Sequence, residues 1–326
     1  MVSVSSIGTN AFDSDGSLTC VLASSSAIDQ IKSTCTSSPC PPLGGCLSYH
    51  GGSVMTGTVN LYNVYYGDFS STPSTRELVD YFSAHIGNTS WAAMFPSSFY
   101  QYQNGIYSPA ATNISFRGSA VYEPTAKGIT ITTDDVAQAA VEQINNGNFN
   151  NGIPDPNGIY VVIFRGDFSW DSDGLTWNTG IGSDFCGFHM TVSLTLSVNS
   201  TTTILKVIVV GDPSIAKGNL NYGCVYGPIP TANGNIGADS ILVLYARELA
   251  NTITDYNSDA WFEDPGGFAT ADFCDFGTGA NSNLQVGNKR FLVPQLYIPG
   301  IGCSMSLKRN APTKRPTVAS PVGGLN

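Results

Sequence analysis

The chain has 326 residues, with 14 Lys+Arg against 24 Asp+Glu, a formal net charge of −10. Charged residues make up 12%, about half the ~25% usual for soluble domains, and an acidic balance with no basic face excludes a nucleic-acid partner. At 42% hydrophobic and 11% aromatic it is too apolar to stay disordered, yet no run of ~18 apolar residues reads as a membrane span.

Residues 1–46 hold half of the eight cysteines, Cys20, Cys35, Cys40 and Cys46, in a Ser/Thr/Gly-rich stretch too small to build its own core. This reads as a disulfide-stapled N-terminal cap with three alternative pairings. The other four are Cys186, Cys224, Cys274 and Cys303. An even count with no CxxC pair points to disulfides rather than zinc or redox centres. If the cap's four cysteines satisfy one another, Cys186–Cys224 and Cys274–Cys303 are the expected remaining pairs. Sequons at Asn88, Asn113 and Asn199 add to a secreted, glycosylated reading. Residues 1–19 lack the apolar stretch of a signal peptide, so a leader is expected to have been cleaved or to lie outside this numbering.

From residue 54 the predicted elements follow one another. Val54 to Tyr66 is a β-branched and aromatic run, read as one long strand. Ser74-Thr75-Arg76-Glu77 matches a capping box, and Leu78, Phe82 and Ile86 recur at helical spacing until Gly87; His85 sits at this helix's negative end. A second helix starts after Thr133, with Asp134 and Asp135 in its first turn, and ends at Gly147. Ile159 to Phe164 and Ile204 to Val210 are apolar almost throughout, as strands buried on both faces are. A third helix runs from about Asp239 to Ile253 with Leu242, Ala246, Leu249 and Ile253 as its stripe. Strands alternating with helices predict an α/β or α+β fold, a mixed sheet covered by helices, in one domain over 47–305. Residues 306–326, with Lys308-Arg309, Lys314-Arg315 and three prolines, read as a basic Pro/Thr-rich tail.

The third helix is where chemistry is expected. A zinc hydrolase places His-Glu-x-x-His on a helix because positions i and i+4 converge on the metal while the Glu handles water. Here the corresponding stretch is Arg247-Glu248-Leu249-Ala250-Asn251. Arg247 has no lone pair to give and Asn251 is a poor zinc ligand, so Arg247 is expected to pair with Glu248, Asp255 or another acid. Of the three histidines, His50 and His189 could approach a common site with Glu248. No Gly-x-Ser-x-Gly elbow and no free cysteine supply a nucleophile. Asp171-Ser172-Asp173-Gly174 echoes Asp13-Ser14-Asp15-Gly16, but Ser169 and Gly180 stand where an EF-hand needs Asp and Glu, so Asx-turns are expected. Glu263 with Asp264 or Asp272 is a candidate carboxylate pair for glycoside hydrolysis. Trp170, Trp177 and Trp261 are candidate sugar platforms or loop anchors.

Across residues 47–305 the sequence resembles the phosphate-induced, Exordium-like family of secreted plant cell-wall proteins. The resemblance rests on Tyr49-His50-Gly51-Gly52, Met55-Thr56-Gly57-Thr58-Val59, Cys186-Gly187-Phe188-His189, Ala246-Arg247-Glu248-Leu249, Ala271-Asp272-Phe273-Cys274 and Gly287-Asn288-Lys289-Arg290-Phe291. Many relatives look to carry His-Glu-Leu and a later Glu on the third helix, which implies a zincin-like core; Arg247 and Asn251 occupy those positions here. The resemblance implies a secreted wall or matrix protein. The expectation is therefore a non-catalytic extracellular structural protein, a filament subunit included, that needs no cofactor and no metal. Its expected partners are copies of itself or other matrix components, and polysaccharide. The competing expectations are a zincin-like hydrolase with a relocated site at His50, His189 and Glu248, and a polysaccharide-binding module.

Overall fold

A computed structural model describes the backbone of residues 3–7, 47–123, 130–165, 169–172, 175–180, 186–195, 202–214, 224–264, 266–274 and 282–307. The four cap cysteines, the sequon at Asn199 and the tail beyond residue 307 lie outside these residues, as do the side chains of Trp170 and Trp177.

The centre is a six-stranded mixed sheet of β1 (Ser3–Ile7), β2 (Thr58–Tyr66), β3 (Asn113–Tyr122), β4 (Gly158–Phe164), β5 (Gly187–Thr195) and β6 (Thr202–Gly211), in spatial order β1-β5-β6-β4-β2-β3. The strands β6, β4, β2 and β3 are parallel; β5 pairs antiparallel with β6, and β1 pairs antiparallel with β5 and so runs in the same direction as the other four. Every residue of β4 is buried. Its period of two sends Ile159, Val161 and Ile163 into one core and Tyr160, Val162 and Phe164 into another, as a central strand with both faces covered requires. The long helices α1 (Pro73–His85) and α4 (Ile236–Asp255) share the first core, and α3 (Thr133–Asn145) packs in the second; α2 (Met94–Ser98) is a single short turn of helix. The fold is α+β with a mixed sheet covered by helices. Among the described residues no helix is long and apolar enough to cross a membrane.

Two local expectations are corrected. The strand begins at Thr58 rather than Val54, because Gly57 takes φ +68° and Thr56 makes only an isolated bridge to Ala110. The capping box at Ser74 does not form: Pro73 opens α1, so the N-cap is Thr72, with no side-chain cap bond, and Ser74 lies inside the helix. Proline suits the first turn because its missing N–H is unpaired there anyway. The box that does form belongs to α3, where the Thr132 hydroxyl accepts from the Asp135 N–H and the Asp135 carboxylate accepts from the Thr132 N–H.

A polar knot locks α1 and α4 to the sheet. Asn63, fully buried on β2, donates to Asp80 at 2.8 Å and to Ser83 at 3.1 Å and accepts from the Tyr245 hydroxyl at 3.1 Å. Buried amides of this kind fix geometry because an unmet partner is costly. The expected bridges Cys186–Cys224 and Cys274–Cys303 are both present.

Candidate functional site

The 20 residues of α4 are buried except Ile236 and Arg247. Asn235 caps its start by accepting from the Ala238 N–H at 3.0 Å, and Asp239 sits in its first turn. The helix is therefore a core element rather than an amphipathic surface one, and its polar groups need partners inside the protein. Glu248, 5% exposed, has one: its Oε2 lies 2.9 Å from Nδ1 of His189 on β5. Its Oε1 faces Arg247 Nε at 3.9 Å. Each carboxylate oxygen thus looks at a cation or a potential one.

Arg247 and Asn251 meet at a common atom. Arg247 donates from both Nε and a terminal guanidinium nitrogen to Asp272 Oδ1, each at 2.7 Å, and Asn251 Nδ2 donates to the same oxygen at 3.1 Å. The Ala269 N–H fills Asp272 Oδ2 at 3.0 Å, while Asn251 Oδ1 accepts from the Ala271 N–H at 3.1 Å. Positions i and i+4 of a metallohydrolase helix aim lone pairs at a cation. Here the same two positions aim N–H donors at an anion, so this donor set does not fit a zinc ion. Among the described residues no group of three or more His, Cys, Asp or Glu converges as metal ligands would.

The electrostatics follow from the pairing. Burial alone would lower the His189 pKa, but the Glu248 hydrogen bond and charge, with Asp255 behind them, raise it. The Arg247 guanidinium is likewise disfavoured by burial and held charged chiefly by Asp272 and then Glu248. Burial pushes Asp255 up to about 6, against the Ala260 N–H and His189, which lower it. Tyr226, just past Cys224, is raised by burial and also feels Arg247 and Glu248.

The sequence-derived candidates separate into those the fold joins and those it does not. Arg247, Glu248, Asn251 and His189 form one network. His50 does not enter it: its ring stacks on Phe262 at 3.7 Å, with Nε2 near Ser48 Oγ and the Phe262 carbonyl and Nδ1 3.7 Å from Asp264. The relocated site loses its third ligand because Tyr49 pairs with Trp261 in the short ribbon of 47–49 with 261–263, which carries His50 along with it. Trp261 is 5% exposed, donates to the Tyr100 carbonyl at 2.8 Å and is ringed by Tyr49, Phe99 and Tyr100, so it anchors a loop and offers no platform. Trp170 and Trp177 are backbone register partners on the antiparallel strands 169–172 and 175–180. Glu263 is buried, Asp264 is exposed, and Asp272 already holds its donors. Asn88 and Asn113 are exposed, the first at the end of the short 3-10 helix Ile86–Asn88 and the second at the start of β3. His85 closes α1 and hydrogen-bonds the Tyr81 carbonyl at 2.8 Å.

Sequence reasoning had Asp272 only as a hydrolase carboxylate and missed it as the centre of the network. The signal was present in its place two residues before Cys274, whose bridge to Cys303 fixes the loop.

No curated protein and no solved structure matches the chain. The chain belongs to the phosphate-induced protein 1 family: the model of that family's conserved region matches residues 47–288.

Proposed function

We propose that this member of the phosphate-induced protein 1 family is a non-catalytic secreted protein that serves as structural material of a cell wall, matrix or cell surface, assembling with copies of itself or neighbouring matrix components into a filament or mesh. The observation that carries the reading is the convergence of Arg247 and Asn251 on Asp272 Oδ1. That arrangement fills the place of a metal with a neutralised, hydrogen-bonded carboxylate. Among the described residues no set of metal ligands stands beside Glu248 to polarise a substrate carbonyl, and its Oε2 is committed to His189. Extracellular placement is supported by two disulfides, which persist in oxidising compartments, and by exposed sequon asparagines at 88 and 113. A surface whose polarity rests on uncharged groups suits close packing, since few charges must be desolvated.

The test is made on purified, disulfide-intact protein. Elemental analysis should find zinc well below one equivalent, a panel of peptide and glycan substrates should show no turnover, and light scattering should show size growing with concentration. Stoichiometric zinc together with turnover lost in Glu248→Gln would overturn the non-catalytic part, and a strictly monomeric protein at high concentration would overturn the assembly part.

A further inference from the structure

At the end of the sheet where β2 and β4 begin lies a cavity of about 210 Å³, lined among others by Ser53, Thr56, Gln101, Asn157, Lys206 and Tyr256. It belongs neither to the α4 network nor to the Trp candidates. Lys206 projects from β6 and is 8% exposed. Its ammonium donates to the Pro156 carbonyl at 2.6 Å and lies 5.1 Å from the centre of the Tyr256 ring. No carboxylate lies within 4 Å of it among the described residues. The nearest acid, Asp155, is occupied: Asn60 Nδ2 and the Tyr62 hydroxyl bond its Oδ2 at 2.7 and 2.9 Å, and the Asn157 N–H bonds its Oδ1. An ammonium has three donors, so two remain; Asp155 acts on the ammonium through its charge but gives it no hydrogen bond, which leaves those two donors to be met from the cavity.

The neighbours of Lys206 are neutral hydrogen-bonding groups with capacity to spare. Ser53 Oγ accepts from Gln103 and keeps its own proton, Gln101 gives its side-chain carbonyl to the Val54 N–H and keeps its amide protons, and the Thr56 hydroxyl and the Asn157 side-chain amide have no partner among the described residues. Tyr256 adds a ring face. One cation, several neutral donors and acceptors and an aromatic surface around a space the size of one ring match a molecule with one carboxylate, several hydroxyls and a CH-rich face.

The geometry points to a binding site for a uronic acid unit, with its carboxylate on Lys206, its hydroxyls on Ser53, Thr56 and Asn157, and its ring against Tyr256. The site makes the protein a reader of acidic polysaccharide ends or side units, independently of whether it assembles with itself.

Isothermal titration of the full-length protein with glucuronate, glucose, acetate and inorganic phosphate tests this. Saturable glucuronate binding is expected, with glucose and acetate each at least tenfold weaker. Lys206→Met should cost tenfold or more, measured on a variant whose circular dichroism spectrum matches that of the wild type. Thr56→Trp, which fills the cavity and leaves Lys206 in place, should abolish binding. Absence of saturable glucuronate binding overturns the proposal, as does unchanged binding in Lys206→Met. Phosphate or acetate binding as tight as glucuronate also overturns it, since that marks an anion site with no sugar recognition.

Discussion

Replacing Asp272 by alanine tests the centre of the α4 network most directly. The carboxylate receives two donors from Arg247, one from Asn251 and one from the Ala269 N–H. Removing it strands the buried Asn251 amide and the Ala269 N–H, at about 1 kcal/mol each. The Arg247 side chain is 35% exposed, so water re-solvates it in part, and its share is about 1 kcal/mol rather than the larger cost of a fully buried pair. The sum is about 3 kcal/mol. At roughly 2–4 °C per kcal/mol for a domain of this size, the melting temperature should fall by about 6–12 °C in calorimetry. Arg247→Met removes the cation and leaves Asp272 its two neutral donors, so it should cost about half as much. The double variant should show a coupling of ~1 kcal/mol or more. A loss below about 0.5 kcal/mol in Asp272→Ala, or additive single effects, would refute the view that this carboxylate organises the helix.

Further outcomes follow from other contacts. The His189 pKa is raised above 6.5, so its pairing with Glu248 contributes fully below pH 6.5 and is lost as pH rises through the folded value. Asp255, raised from 3.8 to about 6, acts in the same sense lower down, favouring the fold below pH 4 and losing that by about pH 6. Denaturant titrations should show stability declining with pH across both windows, with His189→Gln flattening the upper one and Asp255→Asn the lower; a rise with pH there would contradict the pairing. Opening Cys186–Cys224 or Cys274–Cys303 by double serine substitution releases loops of 38 and 29 residues and should each cost on the order of 3–4 kcal/mol in chemical denaturation, an unchanged midpoint counting against this. A Cβ on Gly237 would fall 2.4 Å from Asp212 Oδ1, so Gly237→Ala should lose about 1–3 kcal/mol by overpacking. An Asp212→Ala background should remove most of that penalty; an equal loss in both backgrounds would argue against the clash.

The sheet and helices were legible because burial writes its period into the sequence. Ile159 to Phe164 is apolar at every position and is the strand with both faces covered, and Leu242, Ala246, Leu249 and Ile253 do face a core. What periodicity misses are events at single residues, such as Pro73 opening α1 ahead of Ser74 or Gly57 cutting the strand short. The site was half legible. Arg247 and Asn251 are wrong for zinc by their chemistry alone, and His189 was a candidate. Their meeting point was hidden, because Asp272 comes from a loop about two dozen residues downstream and Lys206 looks like an ordinary strand lysine until its neighbours are known. His50 failed for the same reason: nothing local says that its ribbon pairs with 261–263.

The two bridges start close to the two partners that α4 needs. Cys186 stands three residues before His189, and Cys274 two residues after Asp272. The counter-charges of the helix therefore arrive on tethers that close only where thiols are oxidised. A chain whose thiols are still reduced is expected to carry Glu248 and Arg247 without firm partners, so oxidation of the two bridges also finishes its interior.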